Sequence, residues 1–179
     1  MIYLAADHRG FELKEKIKEW LKEWGYEYED MGAFEFDKDD DYPDFIHKAA
    51  ERVSQDPDNS RAIIMGGSGQ GEAMAANRYK GVRAAVFYGP PFQLKLVGWR
   101  VMSWFTYEYV GLIDSFARFI LKKLVKLSRE HNNANVLSLA AAFINYKMAK
   151  IIIKLWLETP FSEDERHKRR INKIDSSNI

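Results

Sequence analysis

The sequence contains no cysteine among its 179 residues. This absence excludes a disulfide framework, a thiolate zinc site, an iron–sulfur cluster and a cysteine nucleophile. An excess of either charge is also missing, because 27 lysine and arginine residues stand against 26 aspartate and glutamate residues, for a formal net charge of +1. A positive field over the whole molecule is therefore not expected, and neither is a nucleic-acid partner.

Long apolar runs are absent as well. The most apolar region, residues 92–121, is interrupted by five charged side chains, and its longest uncharged stretch is residues 101–107. A membrane-spanning helix needs about 20 consecutive apolar residues. The first residues show no basic leader ahead of an apolar stretch, so we expect no signal peptide. These patterns predict a cytoplasmic protein that makes no membrane contact.

Short apolar runs alternate with helical repeats along the chain. Strands are predicted at residues 2–6, 26–31, 62–65, 82–87 and 135–139. Helices are predicted from about residue 13 to Gly25, over 43–55, from near Glu72 to Asn77, around 148–156 and from about Ser162 onward. This order predicts one α/β domain over residues 1–179, with a doubly wound, Rossmann-like sheet of five parallel strands covered on both faces. Ligands of such sheets bind at the carboxyl ends of the strands.

A glycine-rich loop follows the third predicted strand and reads Gly66-Gly67-Ser68-Gly69-Gln70-Gly71. Free backbone N–H groups before a helix can hold a phosphate or a developing oxyanion. The loop lacks the lysine of a nucleoside-triphosphate loop, and its glycine spacing differs from that of dinucleotide-binding loops. A tight strand-to-helix turn without a ligand is the alternative interpretation.

Four ionisable side chains stand near the ends of predicted strands. Glu72 follows the glycine loop, where it is either a general base or an acid that simply favours a helix start. Asp7 and His8 follow the first strand and could open a sugar ring or bind phosphate, or could form an ordinary surface turn. His131, between a helix and the fifth strand, could equally be a cation at a helix end.

The last predicted helix carries a basic face. Arg166, Arg170 and Lys173 recur at i, i+4 and i+7, so they share one side of the helix. Arginine forks on that side could clamp a phosphate monoester. A solvated basic face and a weak nucleic-acid patch are the alternatives, and the near-neutral net charge counts against the second.

Taken in order, six motifs resemble the ribose-5-phosphate isomerase B family, which includes the galactose-6-phosphate isomerase subunits. They are Asp7-His8-Arg9-Gly10, Asp41-Tyr42-Pro43, Gly66-Gly67-Ser68-Gly69-Gln70-Gly71-Glu72, Ala75-Ala76-Asn77, Arg129-Glu130-His131-Asn132-Asn133-Ala134 and Arg166-His167-Lys168-Arg169-Arg170. The resemblance covers residues 1–88 and 122–174. It implies a doubly wound homodimer with its active site at the subunit interface and with no metal or cofactor.

The resemblance also implies an activity, the interconversion of ribose 5-phosphate and ribulose 5-phosphate through a cis-enediolate. Glu72 matches the branch of the family whose base is a glutamate, whereas the other branch has a cysteine at the position of Gly66. In this role Glu72 moves a proton between C1 and C2, and Ser68 relays a proton between O1 and O2. Asp7 and His131 would assist ring opening, with His131 supplied by the partner subunit.

The remaining residues of the resemblance would bind the substrate. The backbone from Gly67 through Gly69 to Gly71 would stabilise the enediolate. The phosphate would be held by His8, Arg166 and Arg170. Asn132 would contact sugar hydroxyls, and Tyr42 would line the pocket.

Two features depart from the family pattern. Residues 91–121 form an extra helical and aromatic insertion after the fourth strand, which we expect to lengthen the following helix with Asp114 or Ser115 as its cap. Its aromatic stretch, residues 99–109, is predicted to be a packing element or subunit contact rather than a ligand-binding segment. Ala142 stands where many members carry a phosphate-binding arginine. The alternatives are therefore a non-catalytic phosphosugar-binding protein, an isomerase of a six-carbon sugar phosphate, or a docking function for the insertion.

Overall fold

The computed structural model describes the backbone of residues 1–89 and 107–176 and the side chains of residues 1–89 and 119–176. Strands and helices alternate along these residues. The strands are β1 (Ile2–Ala6), β2 (Tyr28–Asp30), β3 (Arg61–Gly66), β4 (Ala84–Phe87) and β5 (Val136–Ala140). The helices are α1 (Phe11–Trp24), α2 (Pro43–Gln55), α3 (Gln70–Ala76), α4 (Tyr107–Glu130), α5 (Tyr146–Glu158) and α6 (Glu165–Asp175).

The five strands form one sheet in the order β2-β1-β3-β5-β4, and every pair is parallel. The predicted doubly wound α/β fold is confirmed. Every residue of β5, and β3 from Ala62 onward, is buried. Burial on both faces explains why these strands appear in the sequence as continuous apolar runs rather than alternating patterns.

Two layers of helices cover the sheet. On one face, Ile17 of α1, Val125 of α4 and Trp156 of α5 belong to one buried apolar cluster. On the other face, Ile46 of α2 and Ala76 of α3 belong to a second cluster. Each fully buried large apolar side chain contributes about 1.5–3 kcal/mol to folding. These apolar contacts fix the helices to the sheet, and in α1 and α5 they include residues whose helical spacing predicted the helix.

Local signals set several element boundaries. Gly25 ends α1 with a left-handed φ of 76°, and its N–H donates to the carbonyl groups of Leu21 and Lys22. Pro43 is at the first position of α2, where its missing N–H costs nothing. Pro160 lies two residues beyond the end of α5. All three positions agree with the sequence prediction.

Other boundaries differ from the prediction. Helix α3 begins at Gln70 rather than near Glu72, because Gly69 takes a left-handed φ of 72° and ends the loop there. Strand β4 begins at Ala84 rather than at residue 82, since the N–H of Val82 closes a turn to the carbonyl of Tyr79. Helix α6 begins at Glu165 rather than near residue 162.

The insertion is described only in part. Residues 91–106 and most of the aromatic stretch 99–109 lie outside the described residues. The predicted cap at Asp114 or Ser115 is wrong, because α4 already begins at Tyr107 and both positions lie inside the helix. The division of the chain into a single domain with an insertion at 91–121 stays a prediction. Among the residues that the structure describes, no helix is both long and apolar enough to span a membrane.

Candidate active site

Two loops meet at the carboxyl edge of the sheet. Strands β1 and β3 are neighbours, and their last paired residues are Ala6 and Met65. Asp7 and the glycine loop, residues 66–71, therefore emerge side by side. Asp7 is 6% exposed, and its Oδ1 accepts hydrogen bonds from the N–H groups of Arg9 at 2.9 Å and Gly10 at 3.1 Å. The turn after β1 thus fixes this carboxylate next to the loop, at the carboxyl edge where the sequence analysis expected both.

The glycine loop is held from both sides. The Ser138 hydroxyl donates to the carbonyl of Gly69 at 2.6 Å, and the N–H of Ala142 donates to the carbonyl of Gly67 at 3.1 Å. A Cβ on Gly71 would lie 2.8 Å from the ring of Tyr42, so glycine permits this ring to pack on the loop. Ser138 of β5, Ala142 just after that strand, and Tyr42 therefore keep the backbone of the loop in place.

Ser68 is exposed at the tip of this loop. Its hydroxyl oxygen accepts a long hydrogen bond, 3.3 Å, from the N–H of Gln70. The hydroxyl remains able to exchange a proton with a molecule bound over the loop.

Glu72 lies in the first turn of α3 and is 4% exposed. Its carboxyl group rests directly on Gly66, since a Cβ at that position would overlap Oε1. Burial raises the pKa of Glu72, its own backbone N–H opposes this, and the nearby charge of Asp7 raises it further. A buried carboxyl group with a raised pKa is suited to take and return a proton near neutral pH.

Asp7 shares the same electrostatic surroundings. Burial raises its pKa, while the N–H of Gly10, the charge of His8 and the N–H of Arg9 oppose the rise. The charge of Asp40 adds to the rise. Asp7 and Glu72 therefore form a pair of buried acids at one strand edge, which is the arrangement expected of acid–base chemistry.

His8 is bound to a side chain that the sequence analysis did not single out. Its Nδ1 lies 2.6 Å from Oδ1 of Asp40, and its backbone N–H donates to the same oxygen at 3.0 Å. Asp40 belongs to the acidic loop after β2, the strand that pairs with β1. Strand order could have placed this loop near His8, but it could not have selected one of the five acids at residues 35–41.

Arg9 is a second residue near the loop to which the sequence analysis gave no role of its own. Its exposed side chain crosses the face of Gly67, where a Cβ would lie 3.6 Å from its Nε. Ala142, bonded to the same glycine, lies at this edge without a charge. The cation next to the loop in this chain is therefore contributed from the turn after β1.

Asp7, His8 and Asp40 are also the one group of potential metal ligands found among the described residues, with ligand atoms within 4.8 Å of one another. Two of these side chains are already joined by the hydrogen bond between His8 and Asp40. The absence of a metal in the mechanism stays a prediction.

The other predicted site residues lie together at a different place. His131 and His167 stack with their ring centroids 4.2 Å apart, and Nδ1 of His167 is 2.8 Å from the hydroxyl of Ser162. Burial, followed by the charge of His131, lowers the pKa of His167. Asn132, Arg166 and Arg170 are exposed beside this pair in the chain.

This second group lies at the amino edge of the sheet. His131 follows α4 and precedes β5 by a few residues, and the carbonyl of Asn133 accepts from Arg83, which directly precedes β4. The six residues of β3 span about 16 Å at about 3.3 Å per step. Within one chain, the length of the sheet thus separates this second group from Asp7 and Glu72. The group consists of His131, Asn132, Arg166 and Arg170.

Comparison with known proteins gives consistent matches over nearly the whole chain. The family model described as Ribose/Galactose Isomerase matches residues 2–91 and 117–174. Ribose-5-phosphate isomerase B of Mycobacterium tuberculosis is 37% identical over 171 residues, covering 96% of this chain and 85% of that protein. The structure of ribose-5-phosphate isomerase B from Mycoplasma genitalium with bound ribulose-5-phosphate has a TM-score of 0.77 at 33% identity, covering 97% of this chain and 93% of that one. The enzyme from Thermotoga maritima gives a TM-score of 0.74 at 34% identity, with coverages of 97% and 96%.

Proposed function

The chain belongs to the Ribose/Galactose Isomerase family, and we propose that Glu72 is the base with which it interconverts ribose 5-phosphate and ribulose 5-phosphate. The activity is that of a sugar-phosphate aldose–ketose isomerase, in agreement with relatives that are ribose-5-phosphate isomerases and with one relative that binds ribulose-5-phosphate. The observation that carries the role of Glu72 is its buried carboxyl group, which lies against Gly66 at the start of the glycine loop.

The proton transfers follow from this placement. Starting from the open-chain aldose, Glu72 removes the proton on C2, and the electron pair of that bond forms the double bond of an enediolate. Negative charge develops on O1, where the N–H groups of Gly67, Gly69 and Gly71 stabilise it. Ser68 passes the O2 proton to O1, and Glu72 returns its proton to C1, which gives the ketose. No atom is gained or lost.

The raised pKa of Glu72 assists both halves of this cycle. A carboxylate with a pKa in the ordinary range is a weak base. Burial and the charge of Asp7 raise the pKa of Glu72, so this carboxylate holds a proton more tightly. The same property lets the neutral acid survive until the proton reaches C1. As the pH is lowered, we therefore expect the isomerisation rate to begin falling at a pH above 4.5, the ordinary pKa of a glutamate side chain.

Ring opening and phosphate binding use both edges of the sheet. Asp7 and His131 exchange protons with the ring oxygen and the anomeric hydroxyl, while Asn132 and Tyr42 contact the sugar. The phosphate is held by His8, Arg166 and Arg170. Since the second group lies a sheet's length from Glu72, a second copy of the chain completes each site, and the active species is a homodimer. Its location is the cytoplasm.

Replacing Glu72 by Gln tests the base assignment. The amide keeps the size of the side chain and cannot accept the C2 proton, so we expect kcat to fall by about 10²–10⁴-fold while KM changes little. The measurement is ribulose 5-phosphate formation at several substrate concentrations. Glu51→Gln, on the exposed side of α2, is the matched control and should retain the parent rate.

Equal rates for the Glu72→Gln variant and the parent would show the base assignment to be wrong. If the unmutated chain binds ribose 5-phosphate in a calorimeter without turnover, it is a phosphosugar-binding protein instead. A higher kcat/KM for a six-carbon sugar phosphate than for ribose 5-phosphate would change the substrate but leave Glu72 as the base.

A further inference from the structure

Asp40 and His8 form a close pair although 32 residues separate them in the chain. Oδ1 of Asp40 lies 2.6 Å from Nδ1 of the ring and accepts the backbone N–H of the same histidine at 3.0 Å. One oxygen thus holds His8 at both its backbone and its ring. An ionised carboxylate accepts hydrogen bonds and donates none, so Nδ1 carries the hydrogen and Nε2 is the ring nitrogen left for other partners.

The surroundings bury the acid of this pair more deeply than the ring. The side chain of Asp40 is 7% exposed and that of His8 is 26% exposed, so the acid is the buried member and the ring reaches solvent. The ring of Phe36 meets the imidazole edge-on at 6.4 Å between centroids. Among the described residues, Oδ2 of Asp40 is buried without a hydrogen-bond partner. Burying a carboxylate in this way is costly, and the two bonds to His8 are what offsets it.

The geometry points to Asp40 as the positioning residue of the phosphate site, one that fixes the ring of His8 so that Nε2 faces the phosphate. This inference rests on the proposed function, in which His8 is a phosphate ligand. Asp40 touches no substrate atom and acts through the histidine. A ring free to rotate about its side-chain bonds would present either nitrogen and would lose entropy on binding, whereas the paired ring is already oriented.

Substituting Asp40 separates a positioning role from a purely structural one. In Asp40→Ala the ring of His8 loses its partner, so we expect KM for ribose 5-phosphate to rise about 10-fold and kcat to stay within about twofold. The reason is that phosphate is bound equally in the ground state and the transition state. Asp40→Asn retains an oxygen that accepts from Nδ1 and from the backbone, and should restore most of the lost affinity.

Asp39→Ala is the matched control, because Asp39 is adjacent in the chain and its side chain is 79% exposed. It should leave KM and the melting temperature unchanged. Inorganic phosphate, tested as a competitive inhibitor, should bind the Asp40→Ala variant more weakly by the same factor as the substrate. A KM and a phosphate affinity within twofold of the parent would overturn the inference, even if the variant melted at a lower temperature.

Two further measurements keep the result clear. If Asp40→Ala does not fold, nitrogen-15 NMR of the parent imidazoles, with His8 assigned through His8→Gln, reads the ring directly. Hydrogen on Nδ1 supports the inference, and a bare Nδ1 overturns it. If the parent shows no turnover, the proposed function fails, while calorimetric binding of inorganic phosphate to the parent and to Asp40→Ala still decides the role of Asp40.

Discussion

The carboxyl group of Glu72 lies directly against Gly66 at the carboxyl edge of β3. A Cβ at residue 66 would overlap Oε1 of Glu72, so the carboxyl group can lie against the backbone only because this position is a glycine. In the other branch of the family, by resemblance, a cysteine occupies this position. A cysteine side chain and the observed position of Glu72 exclude each other sterically. The absence of cysteine and the presence of Gly66 are therefore parts of the same arrangement.

The charge on Glu72 should destabilise the folded protein. Because burial raises its pKa, the folded state binds a proton more tightly than the unfolded chain, so stability falls as the pH rises from about 4.5 through the raised pKa. Glu72→Gln removes that charge. We expect its melting temperature at neutral pH to exceed that of the parent by about 2–4 °C for each kcal/mol relieved.

Calorimetric melting of both proteins across this pH range gives the measurement. The difference should close below pH 4.5, where the carboxyl group is protonated in both states of the parent. Glu51→Gln, with an exposed side chain, should show no such pH-dependent difference. Equal melting temperatures for the parent and Glu72→Gln at neutral pH would contradict the desolvation argument.

At the scale of secondary-structure elements, Arg129 ties the end of α4 to the start of β5 and the end of α5. Its Nη1 donates to Asn133 at 2.9 Å and to the carbonyl of Ala134 at 2.5 Å, and its Nε donates to the carbonyl of Thr159 at 3.2 Å. The guanidinium also lies 5.6 Å from the ring of Trp156. Burial, together with the charges of Arg61 and Arg83, lowers its pKa to about 10. This one side chain shapes the turn that presents His131 and Asn132.

Arg129→Lys should therefore be costly although the charge is conserved. A single ammonium group cannot reproduce the fork that reaches Asn133, Ala134 and Thr159, so buried carbonyl groups lose their partners. We expect the free energy of unfolding to fall by about 2–4 kcal/mol. Urea unfolding measures this loss, and Arg78→Lys on the exposed side of the turn after α3 serves as control. A loss below about 0.5 kcal/mol would show that the hydrogen bonds of Arg129 are replaceable.

Several elements could be predicted from the sequence because their signals are local. The apolar spacing of α1, the glycine at its end and the proline at the start of α2 each act within a few residues. Boundaries that depend on loop geometry were less accurate. The start of α3 depends on the left-handed Gly69, and no local pattern distinguishes it from the other glycines of the loop.

At the scale of the whole molecule, the proposed site is divided between two edges of one sheet. Glu72, Asp7 and Ser68 lie at the carboxyl edge, and Arg166 and Arg170 belong to the amino-edge group. The proposed homodimer, in which each site takes one group from each chain, would bring the two groups together. Such a dimer predicts that two chains, each impaired at a different edge, can form one intact site.

Mixing Glu72→Gln chains with chains carrying both Arg166→Ala and Arg170→Ala tests this arrangement. Half of randomly formed dimers are mixed and each mixed dimer has one intact site of two, so we expect about a quarter of the parent activity at a substrate concentration far below the KM of the double-arginine variant. Mixing Glu72→Gln with Ser68→Ala, two changes at the same edge, should restore nothing. If the first mixture is no more active than its components, each site is built within a single chain.

The sequence by itself determined the fold class and the position of Asp7 and of the glycine loop at carboxyl ends of strands, because apolar periodicity and the order of elements dictate a parallel sheet. That their two strands, β1 and β3, are neighbours was decided by the tertiary structure. The tertiary structure alone decided which acid holds His8, since Asp40 reaches it across 32 residues through a hydrogen bond that no local pattern encodes. The tertiary structure also decided that Arg166 and Arg170 lie a sheet's length away from Glu72. Contacts between distant segments depend on packing of the whole chain, whereas strands and helices depend on neighbours within a few residues.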